Sequence, residues 1–176
     1  MADFWIFGYG SLMWNPGFET VERRKAVMHG VHRALCVYSW VHRGTEENPG
    51  LVLGLDQGGS CRGVALKVAA SKRAAVINYL RERELVTHVY AERWRQVSLD
   101  GGEKVAALVY LVDRQHRQYA GRIADEKIAQ IVRHGFGKSG TNIDYLINTV
   151  AHLRQSGVHD PHLEAVMPHL ATKVSS

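Results

Sequence analysis

From Asp3 to Val112 the chain offers one short apolar run after another, broken by glycines and by a single helix-forming stretch; after that it turns helical to the end. Strands first and helices last argue for an α+β fold with a largely antiparallel sheet, because regular βαβ winding would alternate the two. The runs are Asp3 to Gly8, Ala26 to Trp40, Leu51 to Leu55, Cys61 to Val68, Val89 to Leu99 and Val105 to Val112. Ala26 to Trp40 is long enough to be one strand or a bent pair. Asp56-Gln57-Gly58-Gly59 and Asp100-Gly101-Gly102 each separate two apolar runs, and each reads as a hairpin turn. So many short strands favour a sheet curled into a small, mostly antiparallel β-barrel with flanking helices. Helix formers fill Lys72 to Glu84, with Ser71 placed to cap them. The later helices are expected over Asp125 to His134, Thr141 to Arg154 and Pro161 to Val174. A length of 176 residues fits one domain over 1–176 with one sizeable core.

Charge and cysteine content narrow the class. The net charge of +5 suits an acidic small molecule, and no Lys/Arg run reaches the length of a nucleic-acid-binding tail; Glu22-Arg23-Arg24-Lys25 is the densest stretch. Cys36 and Cys61 stand far apart and outside any CxxC pattern, which points to reduced thiols and a cytoplasmic setting. Asp3 near the start, with no basic region ahead of a long apolar stretch, does not read as a signal peptide. No window of about 18 apolar residues is present to span a membrane.

Two features carry chemistry. The first is Phe7-Gly8-Tyr9-Gly10-Ser11-Leu12-Met13, directly after the first apolar run. It is not a dinucleotide fingerprint, because the third glycine position of G-x-G-x-x-G is Met13. Nor is it a nucleophile elbow, since Tyr9 and Met13 flank Ser11 where G-x-S-x-G needs glycines. Gly137-Lys138-Ser139 resembles the end of a P-loop, but Val132 stands where its first glycine belongs. What remains at Tyr9 to Ser11 is either a nest of backbone N–H groups for a carboxylate or oxyanion, or a tight turn that simply needs glycine.

The second is Glu84. Ile77, Leu80 and Glu84 share a helix face, while Glu82 lies on the other side with Asn78. Glu84 therefore points along the apolar stripe, in the last turn, where the helix dipole disfavours an anion. Burial and dipole both raise its pKa. Such an acid either pairs with an arginine, Arg83 or Arg93 among them, or serves as a general base tuned toward neutrality. His159 and His162 flank Asp160 at a spacing of three, but no H-E-x-x-H pattern or nearby cysteine supports a metal site.

Taken together, the FGYGSLMWNPGF stretch, Gly50-Leu51-Val52-Leu53-Gly54-Leu55, Gly63-Val64-Ala65, Arg83-Glu84-Leu85-Val86-Thr87 and Ser139-Gly140-Thr141-Asn142-Ile143-Asp144-Tyr145-Leu146 resemble the ChaC family of γ-glutamylcyclotransferases, in order and over nearly the whole chain. The resemblance implies a cyclotransferase-type barrel and cleavage of glutathione to 5-oxoproline and cysteinylglycine, with no metal, nucleotide or other cofactor. It implies Glu84 as catalytic base and substrate binding by Ile6, Phe7, Gly8, Tyr9, Gly10, Ser11 and Leu12. It also places Arg33, Asn142 and Tyr145 at the substrate; an ion pair for Arg33 and core packing for Tyr145 are the plainer alternatives. The chain departs from the family pattern at His88-Val89, where a glycine usually precedes the aromatic, and at Lys138-Ser139, where a proline is usual. Other γ-glutamyl substrates, or a non-catalytic ligand-binding module on the same scaffold, are the competing functions.

Overall fold

The computed structural model describes residues 1–171. Its strands are β1 (Phe4–Gly8), β2 (Glu22–Ser39), β3 (Gly50–Val68), β4 (Tyr90–Leu99), β5 (Lys104–Val112) and the two-residue pair β6 (Phe136–Gly137) and β7 (Gly140–Thr141). The helices are α1 (Arg73–Glu84), α2 (Asp125–His134), α3 (Asn142–Gln155) and α4 (Pro161–Ala171). Strands β1 to β5 close into a barrel in the order β1-β3-β2-β4-β5. With four helices among the described residues and a barrel whose strands pair mostly antiparallel, the α+β expectation holds.

The chain divides into two compact units, one of residues 1–32 and 55–113, the other of 33–54 and 114–176. In the first unit β1 pairs antiparallel with β3, from Phe4 opposite Val68 to Gly8 opposite Val64. β1 also pairs parallel with β5 through Trp5–Ala107 and Ile6–Leu108, so both edges of this short strand are used. Ile6 and Phe7 are successive residues on opposite faces of β1 and both are buried, so both faces of the strand are covered, and Phe4-Trp5-Ile6-Phe7 is accordingly a continuous apolar run. β4 and β5 form the hairpin read from Asp100-Gly101-Gly102, with register running from Tyr90–Val112 to Ser98–Lys104. Gly101 and Gly102 both take φ of +93, and the three-residue connection Asp100-Gly101-Gly102 is closed by Gly102 N–H to Leu99 O at 3.0 Å and Leu99 N–H to Glu103 O at 2.7 Å.

The other expected hairpin does not form. β3 runs unbroken from Gly50 to Val68, straight through Asp56-Gln57-Gly58-Gly59. Gly58 and Gly59 have φ of +100 and +72, so the left-handed backbone that glycine permits is spent on bending one strand rather than reversing it. The Gly58 carbonyl is met by His32 Nδ1 at 2.9 Å. β2 is likewise one strand of 18 residues and begins at Glu22, four residues ahead of the apolar pattern. Ser71 does not cap α1; it sits inside a 3₁₀ turn, Ala70–Lys72, whose Ala70 N–H donates to Asp3 Oδ1 at 2.9 Å.

The second unit holds α2, α3 and α4, with α2 packed on both of the others. Leu51, Val132, Leu146, Leu153, Leu163 and Val166 form its buried centre. Thr141 caps α3 by accepting from Asp144 N–H at 3.1 Å. Asp160 Oδ1 accepts from His162 N–H and Leu163 N–H, both at 3.1 Å, and so caps α4, with Pro161 at the first helical position. The last three residues of the helix expected to reach Val174, positions 172–174, lie outside the described residues. No helix among the described residues is long and apolar enough to cross a membrane.

Candidate active site

β1 delivers the chain to Gly8, and the next residues coil into a single 3₁₀ turn, Ser11–Met13, closed by Met13 N–H to Gly10 O at 2.9 Å. Ser11 O then accepts from both Trp14 and Asn15 N–H, at 3.2 and 2.7 Å. The N–H groups of Ser11 and Leu12 open the turn and so have no acceptor within it. The side chains of Ile6, Phe7 and Leu12 are buried in the core, so what this segment offers a ligand is backbone. Ser11 is exposed and Gly10 half-buried.

Glu84 ends α1. Its helix face is set by Leu80, which is fully buried, while Glu82 is exposed, as the spacing predicts. The Glu84 side chain is 19% exposed. Burial pushes its carboxyl above the ordinary range, and the charge of Arg83 offsets part of that push. Both readings of Glu84 therefore meet in one residue: Arg83 Nε lies 3.5 Å from Glu84 Oε1, and the acid is still shifted upward.

Arg83 is the residue that sequence reasoning underrated. Its Nη2 donates to Ser11 Oγ at 2.7 Å. Its Nη1 faces Asn15 O at 2.8 Å, Pro16 O at 3.1 Å and Tyr79 Oη at 3.1 Å. One guanidinium thus ties the glycine-rich turn to the end of α1 and stands against the Glu84 carboxylate. The signal available in the sequence was only that Arg83 precedes Glu84; helix neighbours one apart do not normally meet on one face, so nothing there pointed to the turn.

Behind Glu84 lies a second set of polar groups. Tyr110 of β5 is buried, and its hydroxyl donates to Glu92 Oε2 at 3.0 Å. Glu92 accepts both arms of Arg81, at 3.0 and 2.9 Å, and these hydrogen bonds hold its carboxyl below the usual range. Burial first, then Glu92, and to a smaller degree the Glu84 charge raise the Tyr110 phenol well above its ordinary value.

The remaining sequence candidates belong to the second unit. Asn142 is fully buried and spends its amide on Leu51, accepting from Leu51 N–H at 2.7 Å and donating to Leu51 O at 2.8 Å. Arg33 is buried, with Nη1 2.8 Å from Asp160 Oδ2, so the same carboxylate that caps α4 neutralises it. Tyr145 is half-buried; its hydroxyl accepts from Leu53 N–H at 3.0 Å, and Arg43 lies over its ring at 5.4 Å. Each of the three has a structural partner of its own. His159 Nδ1 lies 3.4 Å from Glu164 Oε1, and among the described residues no group of three or more His, Cys, Asp or Glu side chains is arranged to hold a metal ion.

Comparison with known proteins gives the family of the chain. The family model described as "ChaC-like protein" matches residues 4–173. A glutathione-specific γ-glutamylcyclotransferase of Escherichia coli (strain K12) is 36% identical over 163 residues, covering 93% of this chain and 71% of the relative. A glutathione-specific γ-glutamylcyclotransferase 1 of Danio rerio is 34% identical over 171 residues, covering 94% and 87%. The crystal structure of a γ-glutamyl cyclotransferase specific to glutathione from yeast superposes with a TM-score of 0.86 over 97% of this chain and 96% of that one, at 22% identity, which fixes the fold. A match over almost the full length, with the glycine-rich turn and the acid at the end of α1 both inside it, makes the chain a member of the ChaC-like family.

Proposed function

We propose that this chain is a γ-glutamylcyclotransferase acting on glutathione, with Glu84 as the group that moves the proton. One observation carries the reading: a carboxyl shifted upward by burial, at the end of α1, joined through Arg83 to the Ser11 hydroxyl of the glycine-rich turn. Relatives that bear this activity in their names, at 34–36% identity over most of the chain, support it.

The chemistry asks for such a group. The α-amine of a γ-glutamyl unit attacks its own γ-carbonyl carbon and closes a five-membered lactam. At neutral pH that amine is an ammonium, so one proton must leave before attack. Glu84 in its ionised form accepts it. A carboxylate raised toward neutrality is a stronger base than an ordinary one and a competent acid afterwards. The tetrahedral intermediate then collapses and the amide C–N bond breaks; the proton held by Glu84 passes to the departing cysteinyl nitrogen, and the second proton of the attacking nitrogen follows it, so the lactam is left neutral and cysteinylglycine departs as an ammonium. The products are 5-oxoproline and cysteinylglycine, and the step balances without metal, nucleotide or covalent intermediate.

The Ser11 and Leu12 N–H groups are suited either to the oxyanion of the intermediate or to the substrate α-carboxylate. Ring closure is intramolecular, so the site's entropic task is to fold the substrate into an attack-ready shape. Tyr9, Gly10 and Ser11 form the proposed substrate contact, reached from Ile6, Phe7 and Gly8; Arg33 and Asn142, committed to Asp160 and Leu51, are assigned to the fold, with Tyr145 held beside Leu53. Cys36 and Cys61 are buried and neither is in a disulfide, which suits a reducing cytoplasm.

Product analysis tests the proposal. Glutathione incubated with the protein releases 5-oxoproline and cysteinylglycine in equal amounts, and Glu84→Gln binds glutathione but loses turnover. Release of 5-oxoproline by Glu84→Gln at the wild-type rate removes Glu84 from the mechanism. Faster lactam release from γ-glutamyl-alanine than from glutathione moves the substrate assignment to another γ-glutamyl compound.

A further inference from the structure

We propose that Arg83 is the positioning residue for Glu84: by fastening the Ser11–Pro16 segment to the end of α1 it fixes the direction of the carboxylate and supplies the positive charge that faces it. The proposal rests on the assignment of Glu84 above and adds a role for a residue that need not touch the substrate.

The argument starts from helix geometry. Consecutive helical residues project about 100° apart, so an arginine directly before a glutamate normally turns away from it. Here the guanidinium is held against Glu84 because its other nitrogens are occupied from the opposite side. Ser11 Oγ takes Nη2, and the carbonyls of Asn15 and Pro16 with Tyr79 Oη surround Nη1. Nε is left facing Glu84 Oε1 at 3.5 Å. A planar, forked cation is suited to this arrangement, whereas the single ammonium of lysine could not reach the same acceptors together. Arg83 is itself largely enclosed, with 21% of its side chain exposed, so water weakens its field only in part.

The other charged and titratable groups around Glu84 are already accounted for. On α1, Arg81 is bound to Glu92 in both of its arms. From β5, the Tyr110 phenol stays protonated and gives its hydrogen to Glu92 of β4. Arg83 is therefore the cation that determines how far burial can raise Glu84, and this charge partly offsets the desolvation. The same contacts make the shape of the glycine-rich turn and the state of the acid depend on one side chain.

Two variants separate this role from a merely structural one. In Arg83→Gln the charge and the fork are both lost. The acid limb of the kcat–pH profile is expected to move to higher pH by about one unit, the low end of what an opposite charge at this range supplies. KM for glutathione is expected to rise about tenfold as the turn loosens. Arg83→Lys restores the charge, so its acid limb returns toward wild type while KM stays high. Should Arg83→Gln fail to fold, Ser11→Ala decides the matter, since this exposed position loses one arm of the fork and leaves the core intact. Its acid limb moves in the same direction by a smaller step. The carboxyl ¹³C titration of Glu84, identified by its absence from Glu84→Gln, reads the same shift without turnover, so it decides the role of Arg83 even if the wild-type protein forms no 5-oxoproline. Acid limbs and titration midpoints that coincide with wild type in the folded variants overturn the proposal, whatever happens to stability.

Discussion

Asn142 is joined to Leu51 at both ends of its side-chain amide, Leu51 N–H to Oδ1 at 2.7 Å and Nδ2 to Leu51 O at 2.8 Å. A side chain at the start of α3 thus takes the place of a neighbouring strand for the first residues of β3. The surroundings leave no slack. A Cβ on Gly50 would stand 2.9 Å from Asn142 Oδ1, and one on Gly135 would stand 2.8 Å from Asn142 Cβ. Asn142→Ala leaves a buried N–H and a buried C=O on Leu51 without partners. Each such group costs about 1–3 kcal/mol, so the loss is expected near 2–6 kcal/mol. For a chain of this length that lowers Tm by about 12 °C at the middle of that range, measured by thermal unfolding. A drop in glutathione affinity with Tm unchanged would instead mark Asn142 as a substrate ligand, as the family resemblance implied.

Glu84 also sets a dependence of stability on pH, and its sign is opposite to that of most carboxylates. Its folded pKa is raised by burial, so the folded protein holds this proton more tightly than the unfolded chain does. Between the unfolded value and the raised folded one, the native state binds more protons, and stability falls as pH increases. Below that window the protonated acid carries no burial penalty; above it the whole penalty is present. Glu92 works the other way, because Arg81 and Tyr110 depress its carboxyl and its stabilisation is lost as pH falls. Glu84→Gln removes only the first contribution. The variant is therefore expected to be more stable than wild type at pH 7 and to match it near pH 4, by urea unfolding at several pH values. An equal difference at both pH values would contradict the burial of Glu84.

How much of this was legible beforehand can be judged residue by residue. The face of Glu84 followed from the positions of Ile77 and Leu80, because helical periodicity is a local property. The β4–β5 hairpin followed from Asp100-Gly101-Gly102 for the same reason. Asp56-Gln57-Gly58-Gly59 carries an equally good turn signature, yet β3 passes through it. Two positive-φ glycines permit either a reversal or a bend, and the choice lies with strand pairing that the segment itself does not encode. The same limit hid Arg83. Its contacts to Ser11, Asn15 and Pro16 span 67–72 positions of sequence, and no period connects them. Family resemblance found the glycine-rich turn and the acid, but not the side chain that binds one to the other.

His88 sits four residues beyond Glu84 with φ of +60, and among the described residues it alone, apart from glycines, has positive φ. Its N–H closes a turn to Leu85 O at 3.2 Å, and the chain must reverse there to enter β4. Left-handed backbone costs a residue with a Cβ about 1–2 kcal/mol. Glycine avoids that cost but loses about 0.5–1 kcal/mol more in chain entropy on folding. His88→Gly is therefore expected to gain about 0.5–1 kcal/mol, a rise in Tm of roughly 2–3 °C. His88→Val, β-branched and the least tolerant of this conformation, is expected to lose stability relative to wild type. The side chain is exposed, so neither change disturbs the core. Thermal unfolding of the pair isolates the backbone: a valine variant as stable as the glycine one would mean that residue 88 bears no strain, and that the turn after α1 is held by its neighbours alone.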